Sequence, residues 1–492
     1  MWKNHLNPSS VIELSQLVEK ILLCFKYLGE IKVKYKLIPA LVASMFAAQT
    51  PAVYADATQD LIDALVTKGV LTEDEGALLG KGRASEKKSE GTVSNKLELV
   101  SPDGKSTMKV GGRVQLDYRH FDADPQATEE EAEFNIRRAY LGVDGKYNEY
   151  IGYKLTGSFS GSTTLDEALI NLGYFEPAQL MFGQFKTSMS LEERTSSRFL
   201  NFTERSYVNN SALTEGKDTG VALHGTPTKG FNYSLAVVNG YGQNKGTADS
   251  SDDSLAYIGH VDVDLATMNK WEGKVFHVGA STKFHDIDVS NYMDSSTGPD
   301  LTQSSIGKGY KFFNAANNAG VTETDLRTFA GELAFASGPW KVQGEYANTN
   351  LDSNIDDQDI NAYYVEAAWL ITGENYSDSY KSKSMGGKFD RIKPNSNFNP
   401  ENGKGIGAWE VALGYSKFDA SDITESSAGY DITAAMANEA KTWRAGLKWI
   451  LDPNTRIMLS YVDTDYDVTG NTSTYTGPLD EQAINIRTQF DF

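Results

Sequence analysis

The chain has 492 residues and carries 66 Asp and Glu against 46 Lys and Arg, a formal net charge of −20. This acidity argues against nucleic acid as a partner, because nucleic-acid binding needs a basic surface. A mean hydropathy of −0.41 excludes a bundle of membrane helices. The 25 Tyr, 22 Phe and 44 Gly, against only 13 Pro, suit many short aromatic strands joined by polar turns.

Residues 1–55 contain a predicted export signal that begins late. Lysines at positions 32, 34 and 36 precede the apolar stretch LIPALVASMFAA, which is too short to span a bilayer. The triplet VYA ending at Ala55 suits a cleavage site, so we expect cleavage after Ala55. The signal proper is then 31–55. A start site assigned too early explains the preceding residues, and an unusually long positive segment is the alternative.

Cleavage at this site would remove the only cysteine, Cys24. It would also remove six Lys and three Glu, which changes the net charge from −20 to −23. The mature chain is therefore expected to be stable without thiol or disulfide in an oxidising compartment.

Residues 56–91 are predicted to form a helical periplasmic segment and linker. Leu61, Ile62, Leu65 and Val66 make an apolar stripe that Gly69 interrupts, and TEDE at 72–75 is typical of a capping box that opens a second short helix. A polar stretch, KGRASEKKSEG, follows. A loosely ordered tether is the alternative interpretation.

From Lys105 to Phe492 the hydrophobic pattern has period two, which predicts β-strands. The last ten residues, AINIRTQFDF, show the pattern clearly, with Ile486 and Phe490 on one face and Arg487 and Asp491 on the other. We count about sixteen such runs, each about as long as a tilted strand needs to cross a bilayer. Their centres lie near residues 113, 140, 154, 170, 183, 222, 235, 260, 280, 331, 344, 365, 412, 445, 459 and 487.

Short turns alternate with long connections along this region, which is typical of an outer-membrane barrel. The long connections are 187–218, 240–253, 286–324, 419–439 and 465–481. Residues 373–406 break the rule, because they fall on the short-turn side; either a strand is miscounted there or that rim carries a large insertion.

The sequence therefore predicts an all-β fold, a 16-stranded antiparallel transmembrane barrel over 105–492. A secreted β-sandwich also alternates, but its core is dry and could not bury Lys109, Arg113, Lys154 and Arg487 together. Aromatic residues near the strand ends, as in membrane girdles, also favour the barrel.

Candidate pore residues are the polar members of the strands. In FNIRRAYLGVDG, Arg138 is predicted to face the lumen, whereas Arg137 has the opposite parity and could reach the lumen only at a strand end or a bulge. The connection 187–218 is long and contains Phe199, Leu200 and Phe202, which need burial, so it is a candidate for a segment folded into the pore. An exposed external loop is the alternative.

Signals for catalysis are sparse. The histidines of the mature chain show no metal-ligand spacing, and neither a nucleophile elbow nor a glycine-rich phosphate-binding loop is present. Asp463, Asp465 and Asp467 are spaced like the start of a calcium loop, but the closing Glu is missing, so a solvated strand end is favoured over a metal site. We expect no enzyme activity and no cofactor; an embedded hydrolase is kept as a minor alternative.

Five stretches together resemble the phosphate-selective porin O and P family, from about Met108 to Phe492. They are MKVGGRVQLDYRHFD, NIRRAYLGVDGKY, DEALINLGYFEPAQLMFGQFKTSMSLEERTSS, YYVEAAWLITGE and KFDRIKPNSNFNPENGKGIGAWEVALGYSKFD. The resemblance implies a sixteen-stranded, trimeric outer-membrane barrel with an inward-folded third external loop. It also implies that 373–406 is a normal element of the family.

The resemblance further implies a route of arginines leading to a basic constriction with one aspartate. Arg137 and Arg138 match the family's arginine pair, and Asp166 matches the aspartate of the constriction. Glu193 stands where the family has a lysine, with Arg194 the nearest base. The connection 286–324, which corresponds to an arginine-rich external loop, contains no arginine.

We therefore predict an outer-membrane porin that conducts ions and small hydrophilic solutes by passive diffusion. Anions such as phosphate are candidate solutes, with a weak anion preference arising from Arg113, Arg137, Arg138, Lys154 and Arg194. The alternative is a barrel that acts through its external loops as an adhesin or hydrolase. Expected partners are further copies of the chain in a homotrimer, outer-membrane lipid and lipopolysaccharide, and the barrel assembly machinery, which would recognise Phe492.

Overall fold

Sixteen antiparallel strands form a closed barrel in the computed structural model. Each strand pairs with its neighbours in chain order, and the last pairs with the first, with Arg113 opposite Asp491. The predicted sixteen-stranded barrel is confirmed, and every predicted strand centre falls inside an observed strand. The strands are β1 (Thr107–Asp124), β2 (Glu131–Tyr147), β3 (Ile151–Ser158), β4 (Thr164–Leu172), β5 (Gln179–Lys186), β6 (Lys217–Thr228), β7 (Phe231–Val238), β8 (Ala256–Asp264), β9 (Lys274–Asp288), β10 (Glu323–Ser337), β11 (Trp340–Ser353), β12 (Asp357–Leu370), β13 (Ala408–Asp419), β14 (Glu439–Ile450), β15 (Thr455–Asp467) and β16 (Asp480–Asp491).

The structure describes residues 66–68, 72, 97–124, 131–209, 213–214, 216–246, 254–288, 301–307, 310–318, 320–383, 385–401, 403, 405–433, 436–469 and 475–492. The chain divides into two compact units, Met1–Glu86 and Lys87–Phe492. In the first unit only residues 66–68 and 72 are described, and Val66 and Thr67 are helical. The predicted signal, and nearly all of the predicted helical segment, therefore lie outside the described residues.

Side chains alternate between the two faces of the wall because successive residues of a strand point in opposite directions. On β16, Phe490 is 50% exposed, whereas Arg487 and Asp491 are fully buried. On β11, Trp340 and Val342 are exposed and the intervening Lys341 is buried. The outer face is thus apolar and the inner face polar, as a barrel in a bilayer requires.

The two rims of the barrel differ in the length of their connections. One rim has short turns at 148–150, 173–178, 229–230, 338–339 and 451–454, and also the connection 265–273, which contains the short helix Leu265–Met268. The other rim has the longer connections, including 187–216 and 289–322; the predicted bounds 187–218 and 286–324 were slightly too wide, because the flanking strands extend further. The connection 371–407 belongs to the short-turn rim, so the insertion is real and no strand was miscounted.

Connections from both rims enter the lumen. From the long rim, 187–216 brings the helix Leu191–Arg194 and buried aromatic residues such as Phe202. From the short-turn rim, 371–407 brings the 3₁₀ helix Tyr376–Ser379 and a hairpin of strands Tyr380–Lys383 and Gly386–Phe389. The prediction that the first of these connections folds inward is confirmed. No helix among the described residues is long and apolar enough to cross a membrane.

At the long rim, several connections pack around one aromatic group. Phe312 lies 5.6 Å from Phe418 of β13 and 5.7 Å from Tyr207, measured between ring centroids. Phe312 belongs to the strand Lys311–Asn317, which pairs with Thr302–Ser304 and with Tyr430–Ile432. This packing covers part of the lumen, on the side of β10 to β16.

Near the N-terminus of the second unit, the short strand Glu98–Val100 pairs with the start of β1. Lys109 Nζ lies 3.3 Å from Glu98 Oε1 across this pair. The segment is therefore an extension of the wall at the short-turn rim.

Candidate functional site

A cavity of about 330 Å³ lies between the connection 187–216 and the wall formed by β1 to β6, and we call it the basic cavity. Nine basic and four acidic side chains line it, an excess of five positive charges within a chain whose net charge is −20. The basic residues are Arg113, Arg138, Lys154, Lys186, Arg194, Arg198, Arg205, Lys217 and Lys388; the acidic residues are Asp144, Asp166, Glu167 and Glu193.

Arg137 and Arg138 both reach the lumen side because β2 contains a bulge. The pairing of β1 with β2 passes from Gln115–Arg138 to Leu116–Ile136, which leaves Arg137 as the extra residue. A bulge redirects one side chain that regular alternation would send to the other face. Arg138 lines the basic cavity, whereas Arg137 does not line it and turns to the carboxylate of Glu204.

Glu204 anchors the inward connection to the wall. Its Oε1 lies 2.7 Å from Arg137 Nε and 2.8 Å from Arg487 Nη2, and Arg119 and Arg138 approach its carboxylate to 3.7 Å. Burial alone would raise the pKa of Glu204, but the surrounding arginines outweigh it and hold the pKa well below its ordinary value of 4.5. The carboxylate therefore stays ionised and holds the connection in place.

Glu193 lies in the helix Leu191–Arg194 and lines the basic cavity. Its carboxylate lies 3.0 Å from Lys186 Nζ and 3.2 Å from Arg205 Nε. Burial would raise the pKa of Glu193, but Arg205 and Lys186 outweigh it and lower the pKa to about 2. Two bases thus surround the acid at the position where the resemblance implies a lysine.

The helix that presents Glu193 is fixed at its N-terminus from two sides. Ser190 is the N-cap, and its hydroxyl accepts a hydrogen bond of 3.1 Å from the Glu193 N–H. Glu345 of β11 accepts hydrogen bonds from the N–H groups of Leu191 and Glu192 at 3.0 and 2.7 Å. Both contacts satisfy donors that a helix start leaves free, so even this four-residue helix has a defined position.

Two of the other three acids of the cavity also form ion pairs with bases. Asp166 forms an ion pair with Lys217, and Glu167 forms one with Lys154. Arg113 instead donates a 2.8 Å hydrogen bond to the Ser197 hydroxyl and lies over the ring of Tyr140, with its guanidinium carbon 4.2 Å from the ring centroid. A neutral partner leaves the positive charge of Arg113 uncompensated.

Arg194 is held deep between the inward connection and the hairpin from the other rim. It forms an ion pair with Glu332 of β10 and donates to the carbonyls of Gly387 and Ser188 at 3.0 and 2.9 Å. Gly387 N–H in turn donates to Asp262 at 3.1 Å. A Cβ at Gly387 would lie 2.0 Å from the Tyr380 hydroxyl oxygen, so the hairpin needs glycine at this contact.

The hairpin also contributes a cation to the basic cavity. Lys388 is exposed and lines the cavity, and its ammonium group makes no hydrogen bond or ion pair with a described residue. Residues 373–406, whose role the sequence left open, therefore supply part of the cavity lining from the short-turn rim.

Six of the seven sequence-predicted pore residues line the basic cavity: Arg113, Arg138, Lys154, Asp166, Glu193 and Arg194. Five further cations line the cavity that were not predicted as pore residues: Lys186, Lys217, Lys388, and Arg198 and Arg205 of the inward connection. Parity within β5 and β6 could have indicated Lys186 and Lys217, which lie at the strand ends that flank the inward connection. No comparable signal marks Lys388.

The aspartates of the calcium-like spacing do not converge. Asp463, Asp465 and Asp467 alternate along β15, so all three lie on its outer face, and Asp467 forms an ion pair of 2.6 Å with Lys441. Among the described residues, no group of His, Cys, Asp and Glu is arranged to hold a metal ion.

The chain is similar to one known protein family and to several known outer-membrane proteins. The family described as phosphate-selective porin O and P matches residues 108–492. Porin O of Pseudomonas aeruginosa is 28% identical over 420 residues, which cover 80% of this chain and 91% of that protein. The outer membrane channel DcaP of Acinetobacter baumannii is 11% identical, with a TM-score of 0.48 over 79% of this chain and 97% of that one. OmpT of Vibrio cholerae, in its trimer form, is 11% identical, with a TM-score of 0.46 over 79% of this chain and 99% of that one.

Proposed function

Because the chain belongs to the phosphate-selective porin O and P family and is an outer-membrane porin of a Gram-negative bacterium, we propose that its channel prefers anions such as phosphate to cations. The family assignment makes the protein a channel rather than an enzyme. Its lumen passes ions and small hydrophilic solutes by diffusion, and the question is which charge it favours.

The excess of five positive charges in the basic cavity carries this proposal. Charged side chains at the narrow part of a pore set its ion selectivity, because a low-dielectric wall strengthens their attraction for the opposite charge. Three of the four acids in the cavity already form ion pairs with lysines or arginines. Arg113 and Lys388 make no ion pair with a described residue, so they attract a passing anion.

The preference for phosphate over chloride is expected to be modest. The external connection 286–324 contains no arginine, so it offers no arginine route from the outside. Glu193 replaces the lysine that the resemblance implies, although Lys186 and Arg205 surround it and keep the local charge positive. The cavity therefore favours anions as a class more than it favours one anion.

Reversal potentials in planar bilayers test the proposal. With a KCl gradient across wild-type channels, we expect a potential of the sign that chloride permeation gives. Arg327→Gln is the matched control, since Arg327 lies on the outer face of β10 and pairs with Asp325 and Asp352. A potential of the sign for potassium would refute the anion preference, and an absence of stepwise conductance would refute the porin function itself.

We also propose that the channel assembles as a homotrimer. In support, β3, β4 and β5 have eight, nine and eight residues, at or below the length of about nine to eleven that a strand needs to cross a bilayer. Nearby, Phe134 and Ile136 of β2 are 75% and 58% exposed, an apolar surface suited to a partner subunit. Light scattering in detergent measures the mass, and a monomeric mass would contradict this proposal.

We propose two further partners, the barrel assembly machinery and the outer-membrane lipid with its lipopolysaccharide. The N–H and the carbonyl of Phe492 form hydrogen bonds of 3.1 Å with the backbone of Gly112 in the closed barrel. The assembly machinery would therefore have to bind Phe492 before the barrel closes. Outer-membrane lipid and lipopolysaccharide are the second proposed partner, because the outer face of the wall is apolar. Deleting Phe492 should lower the amount of assembled barrel in the outer membrane, and unchanged amounts would count against this role.

A further inference from the structure

Three arginines surround one phenylalanine ring near the short-turn rim. The guanidinium carbons of Arg198, Arg391 and Arg456 lie 5.1, 5.2 and 5.1 Å from the ring centroid of Phe199. The residues come from three different elements: the inward connection 187–216, the connection 371–407 and β15. Together with Asp491 of β16, we call these five residues the exit cluster.

One carboxylate serves all three cations of the exit cluster. Asp491 forms an ion pair with Arg391, lies 3.3 Å from Arg456 Nη2 and lies 3.7 Å from Arg198 Nη1. Glu410, an acid that also interacts electrostatically with Arg456, forms its own ion pair of 2.6 Å with Lys448. The cluster therefore keeps two positive charges without a counter-charge, and Arg456 Nε is buried without a hydrogen-bond partner.

The exit cluster has a buried side and a side that is accessible to solvent. Asp491 and Arg456 are buried, and Arg456 is fixed by hydrogen bonds of 2.9 Å to the carbonyls of Arg198 and Pro453. The side chains of Arg198 and Arg391, in contrast, are 33% and 24% exposed. An anion can thus reach two guanidinium groups while the third holds the arrangement from below.

The exit cluster continues the route of the basic cavity. Arg198 belongs to both, because it also lines the cavity with Arg113 and Arg138. Arg456 lies beside the turn 451–454, and Arg391 enters from the connection at the same rim. In outer-membrane barrels the rim of short turns faces the periplasm, so an anion that leaves the cavity on that side meets the cluster next.

We propose that the exit cluster is an oxyanion-binding subsite at the periplasmic end of the channel, an inference that rests on the proposed anion preference. Planar guanidinium groups hold two oxygens of one oxyanion at a time, which a spherical chloride ion cannot match. The ligand class is therefore small oxyanions, phosphate and sulfate among them. The absence of arginine from 286–324 does not weaken this subsite, because its arginines belong to other elements.

Block of the chloride current by added oxyanion tests the subsite. Potassium phosphate and, separately, potassium sulfate are titrated into KCl-bathed single channels, and the half-blocking concentration is read for each variant. Arg391→Gln should raise that concentration about tenfold for both oxyanions, equivalent to about 1.4 kcal/mol, because one charge-assisted contact is lost. Arg391→Lys keeps the charge but loses the planar fork, so its half-blocking concentration should lie between those of wild type and Arg391→Gln.

The controls separate this inference from the proposed function. Arg327→Gln removes the same charge from the outer face and should leave block unchanged. Wild type can show a chloride-type reversal potential while the half-blocking concentration of Arg391→Gln stays within twofold of the wild-type value. That result refutes the subsite and leaves the anion preference standing. An absence of oxyanion block in wild type also refutes the subsite, whereas a potassium-type reversal potential refutes the anion preference. If the Arg391 variants fail to fold into barrels, Arg198→Gln replaces them as the test. Arg198 also contacts the Phe199 ring, so its loss must raise the half-blocking concentration by the same factor.

Discussion

Replacing Glu204 by glutamine should loosen the inward connection from the wall. The side chain is 4% exposed and faces four arginines, so the change leaves buried positive charge without its counter-ion. Breaking a buried ion pair on one side costs about 3–5 kcal/mol. Asp117 still pairs with Arg487 at 2.7 Å and with Arg119 at 3.0 Å, so we expect the lower end of this range, about 3 kcal/mol.

The free energy of unfolding, from urea titration of the protein in lipid vesicles, measures this effect. Glu272→Gln is the matched control, because Glu272 is exposed in the connection 265–273 and its side chain forms no hydrogen bond or ion pair with another described residue. The current of single Glu204→Gln channels should also become noisier, since the connection that forms one wall of the basic cavity is less firmly held. An unfolding free energy equal to that of Glu272→Gln within about 0.5 kcal/mol, the usual scatter of surface substitutions, would refute the anchoring argument.

Four further outcomes follow from the cavity and its supports. Glu193→Gln should move the reversal potential in a KCl gradient further toward chloride, because Lys186 and Arg205 lose their shared carboxylate; an unchanged potential would place Glu193 outside the ion path. Lys388→Gln should move the potential the opposite way, and its failure to do so would remove the hairpin from the selectivity region. Phe202→Ala should lower the free energy of unfolding by about 3–5 kcal/mol, because the ring is buried 3.0 Å from where a Cβ of Gly446 would lie; a loss below 1 kcal/mol would contradict that packing. The pKa of Glu193 is depressed from 4.5 to about 2, so its stabilising contribution is complete above about pH 4.5 and is lost only as the pH falls toward 2; currents that close between pH 7 and 5 would show that another group controls the cavity.

The wall of the barrel could be predicted from the sequence because apolar and polar residues alternate within each strand and so indicate which side faces lipid. Alternation along β16 separates Phe490 from Asp491 without reference to any other part of the chain. The sequence showed that Arg137 could reach the lumen only at a bulge or a strand end. It could not show which of these occurs, because the bulge depends on the pairing register of β2 with β1.

The cavity was harder to predict because its lining converges from elements far apart in the chain. Arg138 and Lys388 line the same space, yet they are separated by 250 positions. Strand parity says nothing about which connections turn inward or what they meet there. The inward fold of 187–216 was predictable from its aromatic residues. The hairpin from the short-turn rim also contains aromatic residues, the buried Phe389 and the partly buried Tyr380. They did not indicate an inward fold because that rim of an outer-membrane barrel usually has only short turns.

The position of Asp491 has a consequence for the order in which this channel is completed. It is the penultimate residue, and the three arginines that fix both inward connections to the wall share its carboxylate. Asp491 lies opposite Arg113 only when the last strand has joined the first. A chain that lacks its last residues therefore loses both the partner of the first strand and the carboxylate shared by the three arginines, and we expect its lumen to be open or unstable. Closure of the barrel and anchoring of the two inward connections both depend on the last strand.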